Sequence, residues 1–155
     1  MGGASPRTFH GWTLLFNEPF TTRYGDLSAR ARSLREQLAD GNEYARHPDV
    51  KLFAAVRALV YDIVPREPDH PAFRLKDDLR KFRRVKGRGL PSRYRMYFVF
   101  SERLKVIIFL YLNDARSFRK EGSSNDPYVV FKRLVQRGQL GADFDANHEV
   151  WRAAH

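Results

Sequence analysis

The chain has 155 residues, 43% of them hydrophobic and 14% aromatic, and carries a formal net charge of +10 at pH 7. This composition predicts one globular domain over residues 1–155 and excludes a disordered basic chain, since disordered segments are poor in apolar and aromatic side chains. With no cysteine, no apolar run of about 18 residues and only scattered histidines, we expect a cytoplasmic protein without disulfides, membrane span, bound metal or cofactor.

Two amphipathic helices are predicted in the first half of the chain, after a short strand at residues 12–16. Asn17 is a typical N-cap, and apolar residues recur every three or four positions from there to about residue 40. Pro48 lies at the start of the second helix, and Pro65 is expected to end it. Each helix has one apolar face, which predicts an antiparallel helix pair packed on an apolar surface.

The second half changes to the alternating pattern of strands, which are predicted at residues 84–86, 93–100 and 105–112. In the middle strand, alternation predicts one face for the helices to cover and a second face left open. The first face carries Tyr94, Met96, Phe98 and Phe100, and the second carries Arg93, Arg95, Tyr97 and Val99. The third strand is apolar on both faces, as expected for a central strand.

The ends of the chain complete the predicted architecture. Residues 1–10 are expected to be flexible, Asp126 is expected to cap a third helix that ends at Gly138, and residues 139–155 form an acidic tail. The tail either caps and solvates a terminal helix or folds back over the basic residues. The order of elements predicts an α+β fold, with an N-terminal strand and a two-helix hairpin on an antiparallel sheet of about four strands.

Positive charge is concentrated in one part of the sequence. Residues 65–120 carry 16 Lys or Arg against six Asp or Glu, and residues 80–95 carry eight cations without one carboxylate. Such a focused patch attracts a polyanion, and nucleic acid is its usual partner. If the first two strands of the second half pair antiparallel, four cations share one surface. These are Arg84, Lys86, Arg93 and Arg95.

These four side chains suit phosphate chemistry. Arginine binds phosphate oxygens through its planar fork and can stabilise the added negative charge of a pentacoordinate phosphate. Lys86 could act as a general base toward a ribose 2′-hydroxyl. Further RNA contacts are expected from the basic residues around the patch and past the last strand and from two tyrosines that could stack on bases. They are Lys81, Arg83, Arg88, Arg116, Arg119, Lys120, Tyr97 and Tyr128. The alternative is a solvated or nonspecific nucleic-acid-binding face.

Several separate motifs, in order, resemble the YhaV family of bacterial toxins. They are His10-Gly11-Trp12, Pro71-Ala72-Phe73-Arg74, Arg84-Val85-Lys86 with Ser92-Arg93-Tyr94-Arg95, Val106-Ile107-Ile108-Phe109 with Leu112-Asn113-Asp114, and Asp126-Pro127-Tyr128-Val129-Val130-Phe131. The resemblance implies a RelE/ParE-like fold and an mRNA-cleaving toxin of a type II toxin-antitoxin system. It also implies a PrlF-like antitoxin with an AbrB-type DNA-binding domain, so that operator DNA is bound only through the antitoxin.

The resemblance to RelE-type ribonucleases also implies roles for individual residues. Arg84, Lys86 and Arg95 match the basic catalytic residues on the strands, and the arginine past the last strand is either Arg116 or Arg119. Tyr128 matches the C-terminal catalytic tyrosine by residue type only. The fold is shared with ParE-type gyrase inhibitors, so a gyrase-binding toxin or an RNA-binding module without catalysis stays open as an alternative. Whether cleavage needs the ribosome also stays open.

Overall fold

The computed structural model describes residues 7–114 and 126–155. Five strands form one sheet in the order β1-β2-β5-β4-β3. They are β1 Thr8–Phe9, β2 Trp12–Phe16, β3 Arg83–Lys86, β4 Arg95–Ser101 and β5 Val106–Leu112. The predicted α+β class and the central position of β5 are confirmed, whereas the predicted count of about four strands missed β1. That strand lies within the segment expected to be flexible.

One strand pair departs from the predicted antiparallel sheet. β2 pairs with β5 in parallel, while the other three pairs are antiparallel. Parallel neighbours require a crossover connection, and here the helical layer between residues 20 and 66 begins that crossover. The alternating pattern within a strand does not indicate this pairing, because the pairing joins two strands that are far apart in the sequence.

After β2, the first face of the sheet is covered by α1 Phe20–Gln37, α3 Pro48–Ala58, a π turn at Leu59–Ile63 and α4 Val64–Arg66. The short α2 Gly41–Arg46 links α1 to α3 and has no buried residue. α1 and α3 confirm the two predicted helices, and the short α2 between them was not expected. Pro65 does not end the helix, because the π turn, in which Val64 N–H bonds the carbonyl of Leu59, precedes it. Asn17 does not cap α1 with its side chain; its amide donates to the carbonyl of Asn147 instead, at 2.8 Å.

The second face of the sheet is also covered, which corrects the expectation that it stays open. Helices α5 Pro127–Gln136 and α6 Phe144–Ala154 close it. Phe131 of α5 packs on Tyr97 of β4 and on Phe82 beside β3. The amphipathic pattern of α5 was visible in the sequence, but not the surface that it would cover. The sheet therefore lies between two apolar layers.

Both predicted capping sites of the C-terminal region are confirmed. The Asp126 carboxylate accepts from Tyr128 N–H at 2.9 Å, and Gly138 follows α5 with a φ of 77°. In the acidic tail, Asp143 caps α6 by accepting from Ala146 N–H. This is the first of the two alternatives for the tail. Histidines before prolines also act as caps: His47 accepts from Asp49 N–H.

Within residues 7–114 and 126–155, no helix has the length and hydropathy to cross a bilayer. The same residues hold no group of three or more His, Cys, Asp or Glu side chains placed to bind one metal ion.

Candidate nucleic-acid interface

The register of β3 and β4 brings three of the four predicted cations together. Lys86 lies directly opposite Arg95, and Arg84 lies opposite Tyr97. Opposite residues on an antiparallel pair share a face with Cβ atoms about 4.5–5.5 Å apart. The prediction that Arg84, Lys86 and Arg95 share one face is therefore confirmed. We call these three residues the basic cluster; their like charges repel, so an anion between them would be stabilising.

On the second face of the sheet, solvent exposure increases from the middle of β4 toward the end of β3. Val99 and Tyr97 are buried, with Tyr97 under Phe131. Arg95 is half-buried and Lys86, at the end of β3, is exposed. The basic cluster thus lies where the face emerges from beneath α5, with one side open to solvent and the other side desolvated.

Arg95 is held in place by the backbone around it. Its Nη1 donates to the carbonyl of Tyr94 at 2.8 Å. Burial, and next the positive charge of Arg84, lower the pKa of Arg95, while the phenol of Tyr97 and the carboxylate of Asp126 act in the opposite direction. An arginine still keeps its charge at neutral pH. A partly desolvated guanidinium beside another cation is a strong site for a phosphate oxygen.

Asn113, directly after β5, fixes the start of β4. Its side-chain oxygen accepts from Arg95 N–H at 2.7 Å, and its amide donates to the carbonyl of Arg93 at 3.0 Å. Both bonds reach from the end of β5 across to the backbone at the start of β4.

Arg93 does not belong to the basic cluster by strand alternation. It precedes β4, is exposed and has a φ of 73°, in the left-handed region. The expectation that it shares the face of Arg95 is wrong, because the alternating geometry of the strand begins only at residue 95.

Two buried polar atoms lie at the basic cluster, one in Arg84 itself and one in the neighbouring Tyr97. Arg84 Nε and Tyr97 Oη each have no hydrogen-bond partner in the part of the chain that the structure describes. The Tyr97 ring stacks on Phe131 with centroids 4.1 Å apart. Burial raises the pKa of the Tyr97 phenol. Tyr97 therefore cannot stack on a base as expected, because its ring is buried within the protein.

Arg83 points to the opposite face, although it was expected to bind RNA. It pairs in register with Phe98, its guanidinium lies over the ring of Phe100, and its Nη2 bonds the Asp69 carboxylate at 3.0 Å. Only 18% of its side chain is exposed. These contacts anchor the loop before β3 to the sheet, and they leave little of Arg83 for a ligand.

The other expected contact residues lie around the cluster. Arg88, in the loop between β3 and β4, stands 5.5 Å from the Phe73 ring centroid and beside His70. Lys81 is exposed in the turn before β3. Tyr128 is half-buried against the apolar layer on the second face. The structure thus places these three near β3 or on α5 without joining them to the basic cluster.

Three predicted residues, Arg116, Arg119 and Lys120, lie outside the described residues. Sequence reasoning missed two nearby carboxylates. Asp69 holds Arg83, and nothing in its proline-rich surroundings indicated this. Asp126 was recognised only as a cap, although it also affects the pKa of Arg95.

A comparison with known protein families finds a match over most of the chain. A family profile described as a toxin with endonuclease activity, of a toxin-antitoxin system, and named for the YhaV toxin, matches residues 14–150. The matched range contains the basic cluster, Tyr97 and Asn113.

Curated relatives agree with that match. The chain is 34% identical to the ribonuclease toxin YhaV of Escherichia coli K12 over 146 residues, which cover 90% of this chain and 92% of the relative. It is 32% identical to toxin YhaV of Escherichia coli O6:H1 over 156 residues, covering 97% of this chain and 98% of the relative. No solved structure matches the chain.

Proposed function

This chain belongs to the YhaV family of toxin-antitoxin toxins with endonuclease activity, and we propose that it is a ribonuclease that cleaves mRNA and thereby inhibits translation and growth. The observation that carries the proposal is the basic cluster, in which Lys86 and Arg95 lie directly opposite each other and Arg84 shares their face. The name of the relative from Escherichia coli K12, a ribonuclease toxin, supports RNA as the substrate.

The proposed reaction uses the RNA's own 2′-hydroxyl. The 2′-oxygen attacks the adjacent phosphorus while Lys86, as the neutral amine, accepts the proton of the 2′-hydroxyl. The bond from phosphorus to the 5′-oxygen breaks, and the leaving 5′-oxygen takes a proton from the Lys86 ammonium or from water. The products are a 2′,3′-cyclic phosphate and a 5′-hydroxyl. Arg84 and Arg95 stabilise the pentacoordinate phosphate, and each well-placed donor of this kind contributes about 10²- to 10³-fold in rate. We propose that Arg116 or Arg119 also binds this phosphate.

Product ends test the proposal. Purified protein is incubated with labelled mRNA, with and without ribosomes, and the ends are identified. We expect 2′,3′-cyclic phosphate and 5′-hydroxyl ends, and cleavage that persists in EDTA. Detection of 5′-phosphate ends, or complete inhibition by EDTA, would contradict the mechanism. Comparing the reactions with and without ribosomes shows whether the substrate is free or ribosome-bound mRNA.

We further propose a PrlF-like antitoxin with an AbrB-type DNA-binding domain as the partner that neutralises the toxin. A toxin with a net charge of +10 is complemented by an acidic or apolar antitoxin segment over the basic cluster. The helical layer on a mostly antiparallel sheet supports a RelE/ParE-like fold. No observation favours the gyrase-binding alternative over the endonuclease activity of the family.

A further inference from the structure

Two buried polar atoms on the second face of the sheet are unusual. Buried hydrogen-bonding groups nearly always have partners, because leaving one unpaired costs stability. Tyr97 Oη and Arg84 Nε have none in the described residues. The two residues lie directly opposite each other in the register of β3 and β4, so one local arrangement holds both.

Packing does not account for the hydroxyl of Tyr97. The ring stacks on Phe131 at an interplanar angle of 8° and lies 5.9 Å from the ring of Tyr111. A phenylalanine would make the same ring contacts without burying an unpaired oxygen. The layer already contains two phenylalanines, Phe82 and Phe131, fully buried beside it.

The hydroxyl lies at the core end of the basic cluster. After burial, Arg84 is the neighbour with the largest effect on the pKa of the Tyr97 phenol, and Asp126, Tyr111 and Arg95 follow. Burial raises that pKa, so the phenol stays protonated at neutral pH and does not act as the base. A one-residue shift in the register of β4 and β5 between Tyr97 and Phe98 also marks this position, and such bulges are common beside active sites.

We propose that Tyr97 is a positioning residue for Arg84 in the RNA complex, a role that rests on the proposed ribonuclease function. When a phosphate lies between Arg84 and Arg95, the terminal nitrogens of Arg84 bind the phosphate oxygens. Its Nε–H then donates to the phenolic oxygen of Tyr97. The hydroxyl does not touch RNA, since it is buried.

The charges of the cluster explain why this bond forms only in the complex. Arg84 and Arg95 are close enough that Arg84 lowers the pKa of Arg95, so the two guanidiniums repel in the free protein. A phosphate between them replaces repulsion with two attractions, and both side chains can converge on it. The carboxylate of Asp126 acts to raise the pKa of Arg95, so its negative charge offsets part of the repulsion before RNA binds. Within residues 7–114 and 126–155, these two hydrogen-bonding atoms thus stay unpaired until the anion arrives.

The Tyr97→Phe variant tests this role, because stability and binding should change in different directions. The thermal midpoint should stay the same or rise, since the variant removes a buried unpaired oxygen. Affinity for a short RNA made uncleavable by 2′-O-methylation should fall about tenfold, as expected for a lost hydrogen bond to a charged group. Tyr44→Phe, on α2, is the matched control and should bind like the wild type.

A double-mutant cycle with Arg84→Lys identifies the partner. Lysine keeps the charge of Arg84 but has no Nε–H in that position. Arg84→Lys alone should weaken RNA binding, and adding Tyr97→Phe should then cause little further loss, because the bond between them is already absent. The same pair should show no coupling in the free energy of unfolding of the free protein.

Three results would overturn the proposal. The first is wild-type affinity and cleavage in Tyr97→Phe, and the second is independent losses in the double variant. The third is a marked fall in stability or failure of Tyr97→Phe to fold, since that would show that the hydroxyl is already satisfied without RNA. If instead the proposed ribonuclease function is wrong, the result differs from these three. The wild type would still bind the uncleavable RNA, and Tyr97 and Arg84 would still be coupled in binding, but the wild type would not cut the cleavable RNA.

Discussion

Asn113 shows how one buried side chain can determine the position of a proposed catalytic residue. It is fully buried and bonds both the N–H of Arg95 and the carbonyl of Arg93. These bonds fix the backbone from which the Arg95 side chain extends. Asn113 is therefore a positioning residue in the proposed mechanism.

The Asn113→Ala variant should lose both stability and activity. It leaves buried backbone groups without partners, and we expect the free energy of unfolding to fall by about 2 kcal/mol. Urea unfolding measures this change. Asn42→Ala on the exposed face of α2 is the control and should lie within about 0.5 kcal/mol of the wild type. An unchanged unfolding midpoint for Asn113→Ala would show that these bonds contribute little.

The sequence predicted which side chains share a face where strand alternation alone decides it, but not where strand boundaries or the packing of distant helices decide it. Arg84, Lys86 and Arg95 followed from alternation along two strands, which the register confirms. Arg93 failed because the start of a strand cannot be read to the residue from its pattern. The burial of Tyr97 was not predictable, since it depends on where α5 packs.

At the scale of elements, the loop before β3 is joined to the sheet by one carboxylate. Asp69 bonds Arg83 at 3.0 Å and Arg74 at 3.2 Å. Burial tends to raise the pKa of Asp69, but the hydrogen bonds from the two arginines outweigh it and lower the pKa from its ordinary value of 3.8. The ion pair with Asp69 holds the Arg83 side chain on the face opposite the basic cluster.

The lowered pKa of Asp69 predicts a pH dependence of stability. A carboxyl whose pKa is lower in the folded state stabilises the fold above its unfolded pKa, and the contribution is lost as pH falls through the folded pKa. At neutral pH, Asp69→Asn should be less stable than the wild type by at most about 1 kcal/mol, because the Asp69 side chain is half exposed. That difference should shrink below about pH 4 in urea unfolding series. A constant difference down to acidic pH would contradict the assignment.

The periodicity of the sequence predicted most elements but not their partners. Apolar residues at helical spacing gave α1, α3 and α5, and alternation gave β3, β4 and β5. Pairing of β2 with β5 and docking of α5 on the second face depend on contacts between distant residues. No local pattern records such contacts.

On the scale of the whole molecule, the net charge of +10 has a single origin, since residues 65–120 carry all of the excess. The fold places part of this charge in the basic cluster and uses part of it internally, as with Arg83 and Asp69. Charge counting therefore located the candidate interface, whereas the register of β3 and β4 shows which cations share one face.

The most direct test of the central claim compares two arginine variants in RNA cleavage. Arg95→Ala removes a member of the basic cluster, and Arg103→Ala removes an exposed arginine from the turn between β4 and β5 with the same change in net charge. With equal amounts of folded protein and one labelled mRNA, Arg95→Ala should cut at least about 100-fold more slowly, and Arg103→Ala should match the wild type. Cleavage by Arg95→Ala at the wild-type rate would contradict the account.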